Sequence, residues 1–222
     1  MPLVDPRIDE NRLKRSLPPS CSDASILDRG KRGIVFKAIH DGETVAIKIS
    51  HPLSKANDRI SNEARMLGKV NKLGIGPKLV DWTSEYVMME YIEGKRIGDI
   101  FKDDDLDVDD LKLVIRRVLE QLFILDKNNI NKQEMTRPYK HIIVKKDLSP
   151  VLIDFERAKY SQRPANITQF AQYLTSSPIS ETLSRKGLLP SKNQFMDMVV
   201  GYWQAIGGDD ADEFFYGLLR TI

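Results

Sequence analysis

Residues 151–159 read VLIDFERAK, an apolar, strand-like run that ends abruptly on the acid Asp154. Leu152 and Ile153 favour a buried strand, so a carboxylate directly after them needs a reason. One reason is structural, because an aspartate at the end of a strand can form a turn or cap a helix. The other is functional, because a carboxylate can hold Mg²⁺, which prefers oxygen ligands. The stretch therefore raises the question of an enzymatic site.

The composition is that of a globular protein and gives no sign of a nucleic-acid or membrane partner. Of 222 residues, 41% are hydrophobic and 30% are charged, and the formal net charge is +2. A charge so close to balance does not attract nucleic acid or anionic lipid. Cys21 is the only cysteine, which favours a reducing compartment. Because residues 1–20 lack the apolar core of a secretory signal, we expect a cytoplasmic protein.

The first third of the chain carries the pattern of a small antiparallel sheet. Asp41-Gly42 lies between two β-rich runs and favours a tight hairpin. Apolar residues spaced three and four apart over residues 55–73 predict an amphipathic helix that ends before Gly74. The predicted strands cover residues 34–39, 44–49, 77–82 and 86–89. This order predicts a sheet with one helix inserted.

Helical patterns dominate the rest of the chain. From Asp107 to Phe123, apolar residues recur on one helical face, and acidic residues lie at its start, where the helix dipole favours them. Short strands are predicted at residues 141–144 and 151–153. Further helices are predicted at residues 166–175, 192–206 and 209–220. The fold class that we expect is therefore α+β.

Three features of the first third could bind a phosphate group. Gly30 and Gly33 lie in a predicted bend between strands, where backbone N–H groups can approach an anion and Lys31 adds positive charge; a plain glycine hairpin is the alternative. Lys48 sits among apolar neighbours on a strand, so it either meets an anion or points to solvent from an edge. Glu63 is either a surface residue or the partner of Lys48. The pair together indicates a phosphate site more strongly than either residue alone.

The order of these features resembles the signature motifs of protein kinases. The chain has a glycine-containing loop, Lys48 in the phrase VAIK, Glu63 on the next helix, and a strand that ends in Asp154-Phe155. The resemblance covers about residues 25–160. It is strongest to the small atypical kinases related to the RIO type and to predicted archaeal serine/threonine kinases.

The resemblance implies a two-lobed, protein-kinase-like fold. After an arm at residues 1–20, it implies an N-lobe at residues 21–90, with a small antiparallel sheet and one helix. A reduced, mainly helical C-lobe would cover residues 91–222. Two positions depart from the family pattern: Asp28 replaces the first glycine of the loop, and Glu156 replaces the glycine of Asp-Phe-Gly.

An ATP site with Mg²⁺ follows from the same resemblance. In the family pattern, Lys48 contacts the α and β phosphates, Glu63 holds this lysine, and Asp154 binds the metal. The full set of nucleotide-binding residues that the resemblance implies is Gly30, Lys31, Gly33, Val35, Ala46, Lys48, Glu63, Met89, Glu90 and Ile92.

The phrase YVMMEYIEG resembles the hinge between the two kinase lobes. It implies that Met89 lies at the back of the adenine pocket. The Glu90 carbonyl and the Ile92 amide would then meet the edge of the adenine ring.

The catalytic loop departs further from the family. Kinases carry an aspartate base and an asparagine metal ligand there, but this chain reads INKQEMTRPYKHIIV, with no aspartate. If IIV is aligned, His141 takes the asparagine position and would bind metal with Asp154, although its nitrogen is a poor ligand for Mg²⁺. Glu134 is the acid nearest the base position. Lys140 or Arg137 could neutralise phosphoryl charge, and a purely structural loop is the alternative.

The resemblance therefore implies an ATP-dependent, Mg²⁺-requiring atypical serine/threonine protein kinase of reduced activity. Lys48, Glu134 and Asp154 would be its catalytic residues, and a protein or the chain itself would be the acceptor. One alternative is a pseudokinase that binds nucleotide as a regulatory or scaffolding module. Another is a small-molecule kinase, which the short chain after Asp154 disfavours. Neither a nucleic acid nor a membrane is expected as a partner.

Overall fold

A computed structural model describes residues 13–14, 16–30, 33–50, 58–175 and 179–222. Within these residues the chain has the expected α+β class. Lys31 and the first residues of the predicted helix at 55–73 lie outside the described part.

Five antiparallel strands form the first sheet, in the order β1-β2-β3-β5-β4. The turn between β2 and β3 has positive φ at Asp41 (50°) and Gly42 (84°), the geometry that the Asp-Gly dipeptide favours. The predicted hairpin and the four predicted strands are confirmed. The strands are β1 (Cys21–Arg29), β2 (Gly33–His40), β3 (Glu43–Ser50), β4 (Leu79–Trp82) and β5 (Tyr86–Glu90).

The two faces of this sheet have different neighbours, because side chains alternate along each strand. On one face Phe36, Ile47 and Met88 are fully buried in a small core. Leu13 and Leu17 are also buried in this core. The end of the predicted N-terminal arm therefore packs on the sheet.

Helix α1 (Asp58–Asn71) packs against the other side of the sheet, near β4 and β5. Its apolar residues at Ile60, Ala64, Leu67 and Val70 are buried, as the spacing predicts. Asn71 fixes the end of the helix: its Nδ2 donates to the carbonyls of residues 75 and 77, and its Oδ1 accepts from the amide of residue 79. These bonds set the path from α1 into β4.

The remaining chain contains six α-helices, a short 3-10 helix (Pro138–Lys140) and two small β-structures among the described residues. The first of these β-structures is a three-stranded sheet in the order β6-β8-β9, and the second is the pair β10-β7. The strands are β6 (Lys95–Arg96), β7 (Ile130–Asn131), β8 (Ile142–Val144), β9 (Pro150–Leu152) and β10 (Lys159–Tyr160). The helices are α2 (Ile97–Ile100), α3 (Val108–Lys127), α4 (Asn166–Leu174), α5 (Ile179–Arg185), α6 (Lys192–Ala205) and α7 (Ala211–Leu219).

Helix α3 runs through the larger hydrophobic core. Asp107 caps its start, because the Asp107 side chain accepts a hydrogen bond from the Asp110 amide at 2.8 Å. Val118, Leu119 and Leu122 are fully buried. The same core includes residues of α1 and β5, so it joins the first sheet to the helical part. No helix of the described residues has the length and apolar character that crossing a membrane requires.

Replacing Leu119 by alanine should lower the free energy of unfolding by about 2–5 kcal/mol, because it leaves a cavity in this core. Leu113→Ala on the same helix is the matched control. The Leu113 side chain is 37% exposed, so we expect a loss below about 1 kcal/mol. Urea unfolding followed by circular dichroism measures both losses. Equal losses would contradict the orientation of α3.

Candidate functional site

The ammonium group of Lys48 is the centre of a cluster of charged side chains. Its Nζ lies 2.7 Å from Glu63 Oε2, 2.9 Å from Asp154 Oδ1 and 3.1 Å from Glu156 Oε2. The Lys48 side chain is only 11% exposed, and Glu63 is buried. Strand β3, helix α1 and the segment after β9 thus meet at one lysine. Glu63 is not a surface glutamate, the alternative that its sequence position left open.

The pKa values in this cluster reflect burial and mutual charge. Burial alone would lower the pKa of Lys48, but Glu63, Asp154 and Glu156 outweigh it and raise this pKa above its ordinary value. Burial alone would raise the pKa of Asp154, but the charges of Lys48 and Lys132 lower this pKa to about 2. Burial raises the pKa of Glu63 to about 7, against the opposing effect of Lys48. When all three carboxylates are ionised, one ammonium faces three negative charges.

Asp154 itself lies in a left-handed backbone conformation, with φ of 63°. Asp tolerates this conformation better than most residues do, but it needs support from its surroundings. Lys132 supplies part of it, since its Nζ donates to the Asp154 carbonyl at 3.0 Å. The Lys132 side chain is fully buried, and burial lowers its pKa to about 8. Two lysines therefore hold Asp154: Lys48 binds its side-chain carboxylate, and Lys132 binds its backbone carbonyl.

Lys132 was missed in the sequence. It follows the two-residue strand β7 and, in the sequence, looks like any surface lysine of a polar loop. Its role depends on the position of Asp154 in the fold, and no local pattern signals that position.

His141 lies between the other two acids of the site. Its Nδ1 is 3.7 Å from Asp154 Oδ2, and its Nε2 is 3.8 Å from Glu134 Oε2. Both distances exceed those of a hydrogen bond. Burial, followed by the charge of Lys132, lowers the pKa of His141, so the neutral ring is favoured. Glu134 has a second neighbour, because Arg157 Nη1 donates to Glu134 Oε1 at 3.2 Å.

Helix α4 holds the loop that carries Glu134. Asn166 is fully buried; its Oδ1 accepts from the Lys132 amide at 2.8 Å, and its Nδ2 donates to Asp126 Oδ1 at 2.6 Å. Gln169 Oε1 accepts from the Met135 amide at 3.1 Å. Sequence reasoning also missed Asn166 and Gln169, which look like ordinary polar positions of an amphipathic helix.

The charged cluster lines a cavity of about 560 Å³ that lies between the first sheet and the helical part. Lys140 lines it as well, whereas Arg137 is not among its described lining residues. Lys31 lies outside the described residues. The other site residues that the sequence predicts all line this cavity: Gly30, Gly33, Val35, Ala46, Lys48, Glu63, Met89, Glu90, Ile92, Glu134, His141 and Asp154. Their individual roles stay predictions.

Close packing explains the glycine at position 33. A Cβ atom there would lie 2.9 Å from the Ile49 carbonyl oxygen and 3.4 Å from Lys48 Cε. Any side chain would therefore clash with the backbone of β3 at Ile49, beside the lysine at the centre of the site. The Gly30 amide donates to the Gly33 carbonyl at 2.9 Å, which closes the bend between β1 and β2.

Asp28 lies near this bend and faces two cations of the helical part. Its Oδ2 is 3.8 Å from both Arg96 Nη2 and Lys140 Nζ. These side chains are half exposed, so each pair contributes little to stability. Asp28 occupies the position of the first glycine in the family pattern, and here its charge lies beside the cavity.

Comparison with protein families finds no family model that matches the chain, and comparison with curated proteins finds no match either.

Removing the Lys48 ammonium should destabilise the fold in a pH-dependent way. Lys48→Met leaves Glu63 buried without its cation, and we expect a loss of about 3–5 kcal/mol near neutral pH. The pKa of Glu63, already about 7, should rise further above its unfolded value. The folded variant then keeps this proton up to a higher pH than the folded wild type does, so the loss relative to the wild type should grow from about pH 7 to about pH 9.

The double variant Lys48→Met/Glu63→Gln is the control for this prediction. It removes the buried charge as well as the ammonium, so it should regain part of the lost stability and lose much of the pH dependence. Urea unfolding of the wild type, both single variants and the double variant completes the thermodynamic cycle. If Lys48→Met is as stable as the wild type at both pH values, the ion pair is not structural.

Proposed function

We propose that the chain is an ATP-dependent phosphotransferase with a two-lobed, protein-kinase-like fold, and that it acts as an atypical serine/threonine protein kinase. One observation carries the proposal. Lys48 and Asp154, 106 residues apart in the sequence, are hydrogen-bonded in one cavity together with Glu63. A lysine, a helix glutamate and a strand-ending aspartate that meet in this way are the parts that hold a triphosphate and its metal in kinases.

The cavity has the size and walls that a nucleotide needs. Its volume of about 560 Å³ lies in the range of small-molecule sites, about 300–1,000 Å³. Val35, Ala46 and Met89 line it from one face of the sheet, since β2, β3 and β5 pair in register. This apolar wall suits a flat adenine ring. The backbone of Glu90 and Ile92 follows at the end of β5, where we assign the hydrogen bonds to adenine.

The phosphates would lie near Lys48. The lysine now faces three carboxylates, so a phosphate can replace one of these partners without leaving the ammonium unpaired. Glu63, the closest of the three, would keep Lys48 in place. Gly30 and Gly33 line the same cavity, and backbone N–H groups of glycines can approach an anion closely.

The residues fit Mg²⁺ only in part. Glu63, Asp154 and Glu156 bring carboxylate oxygens within 4.8 Å of one another, and their excess negative charge favours a cation. Oxygen ligands of this kind suit Mg²⁺, and we assign Asp154 as its protein ligand. His141, which would take the place of the family asparagine, offers nitrogen and does not fit this hard cation. When bound, the metal neutralises charge on the phosphates.

Glu134 is the residue that we assign to the acceptor hydroxyl. Its carboxylate lines the cavity on the same side as Asp154. It can accept the proton of a serine or threonine hydroxyl, on another protein or on the chain itself. Phosphoryl transfer depends mainly on positioning and charge neutralisation, so a glutamate in this role is compatible with a reduced rate.

The pairing of Glu134 with Arg157 favours a second candidate, a pseudokinase that binds nucleotide and transfers nothing. The 3.2 Å contact occupies one oxygen of the assigned base. In this reading the cavity senses nucleotide, and the loop without an aspartate is structural.

Incubation with radiolabelled ATP distinguishes the two candidates. The wild type should transfer label to itself or to a generic protein acceptor, and Asp154→Asn should abolish the transfer because it removes the metal-binding charge. Lys48→Met should do the same, whereas Lys72→Met, an exposed lysine that is not among the cavity-lining residues, is the matched control and should keep the activity. A nucleotide-dependent thermal shift without label transfer would support the pseudokinase, and the absence of both would contradict nucleotide binding.

Glu134→Gln tests the assigned base. With saturating ATP and metal, we expect transfer to fall about 10²- to 10⁴-fold, the usual contribution of a general base, with little change in nucleotide affinity. Glu85→Gln, an exposed position outside the cavity, is the control. Single-turnover label transfer measures the rate. An unchanged rate would show that Glu134 is not the base.

A further inference from the structure

The environment of His141 is unusual for a histidine that has only a structural role. Its Nδ1 atom is buried and has no hydrogen-bond partner among the described residues. A buried nitrogen without a partner costs free energy, so its position calls for a ligand. The nearest acidic atom is Asp154 Oδ2 at 3.7 Å, which cannot donate a hydrogen bond when ionised.

The gap between these two atoms has the size of a coordination site. Two ligands bound to one cation at about 2.1–2.2 Å each lie about 3.0–4.4 Å apart, depending on the angle between them. The distance of 3.7 Å from His141 Nδ1 to Asp154 Oδ2 falls in this interval. Lys48 binds the other oxygen of Asp154, which leaves Oδ2 facing the histidine.

The second nitrogen of the ring has a partner of the expected kind. Nε2 faces Glu134 Oε2 at 3.8 Å, and Glu134 is held in turn by Arg157. Histidines that bind metals commonly direct their other ring nitrogen to a carboxylate, which fixes the tautomer and the orientation of the ring. The imidazole of His141 therefore faces a carboxylate, Glu134, on one side and an open gap followed by Asp154 on the other. This is the arrangement of a metal-binding histidine whose second nitrogen is oriented by a carboxylate.

We propose that His141 Nδ1 and Asp154 Oδ2 bind a divalent transition metal that accepts nitrogen, represented by Mn²⁺, in preference to Mg²⁺. Glu134 orients the imidazole. Mn²⁺ suits carboxylate and phosphate oxygens as Mg²⁺ does, and it belongs to the first-row transition metals that mixed nitrogen and oxygen sites bind. This inference concerns the metal of the proposed phosphotransferase, but the site itself requires no nucleotide.

Metal binding to the full-length chain without nucleotide tests the proposal. Electron paramagnetic resonance of free Mn²⁺ gives the dissociation constant for the wild type, His141→Asn and the control His40→Asn. We expect His141→Asn to weaken Mn²⁺ binding by at least about 10- to 100-fold, because losing only an outer-shell partner of a metal ligand already costs that much affinity. His40→Asn, in β2 and away from the cavity lining, should leave it unchanged.

Competition with Mg²⁺ tests the preference. Equimolar Mg²⁺ should displace little Mn²⁺ from the wild type and clearly more from His141→Asn, which offers an oxygen in place of nitrogen. If Mg²⁺ displaces Mn²⁺ equally from both proteins, or if both bind Mn²⁺ with one affinity, the proposal is wrong.

A measurement on the wild type tests the site even if His141→Asn fails to fold. The chain has three histidines, and paramagnetic Mn²⁺ should broaden the ring NMR signals of His141 at concentrations that spare His40. Broadening of both signals together, or of neither, contradicts the site.

The outcome is independent of the phosphotransferase assignment. Selective Mn²⁺ binding without any label transfer from ATP would contradict the phosphotransferase proposal and support the metal site. Label transfer with Mg²⁺ alone, in a chain that shows no preference for Mn²⁺, would support the phosphotransferase and contradict the proposed Mn²⁺ site.

Discussion

The ion pair between Lys48 and three carboxylates is the constraint on which the rest of the site depends. A buried ammonium is costly unless anions surround it, and here they come from α1 and from the segment after β9. Because these partners lie on two different elements, satisfying one lysine fixes the position of the first sheet relative to α1 and to the segment after β9. Gly33 packs beside the same lysine, and a Cβ atom there would lie 2.9 Å from the Ile49 carbonyl oxygen, too close for any other residue.

The charges also determine which way Asp154 points. Lys48 takes one side-chain oxygen and Lys132 takes the backbone carbonyl, so the remaining oxygen is directed toward His141. The left-handed backbone of Asp154 persists because both contacts oppose its relaxation. With more carboxylates than ammonium groups around Lys48, the cluster favours a cation. The proposed nucleotide and metal would thus meet groups that are already arranged to receive them.

Local signals in the sequence predicted much of the fold and fewer details of the site. The Asp41-Gly42 hairpin and the helix at α3 follow from turn chemistry and apolar spacing, which act over a few residues. Strands of two residues, such as β7, carry no such period and were missed. Lys132 and Asn166 were missed for another reason: their function is to hold backbone atoms distant in sequence, and only tertiary packing brings those atoms near. The resemblance to kinases predicted that Lys48, Glu63 and Asp154 lie close together, because the order of family motifs carries that long-range information.

A crystal structure with a nonhydrolysable ATP analogue and a divalent metal is the most direct measurement of the central claim. The account predicts Lys48 Nζ within hydrogen-bond distance of the α or β phosphate, still paired with Glu63. It also predicts a metal ion on Asp154 Oδ2, with adenine beside Met89. A nucleotide bound outside this cavity, or saturating analogue that leaves the cavity empty and Lys48 among its three carboxylates, would contradict it.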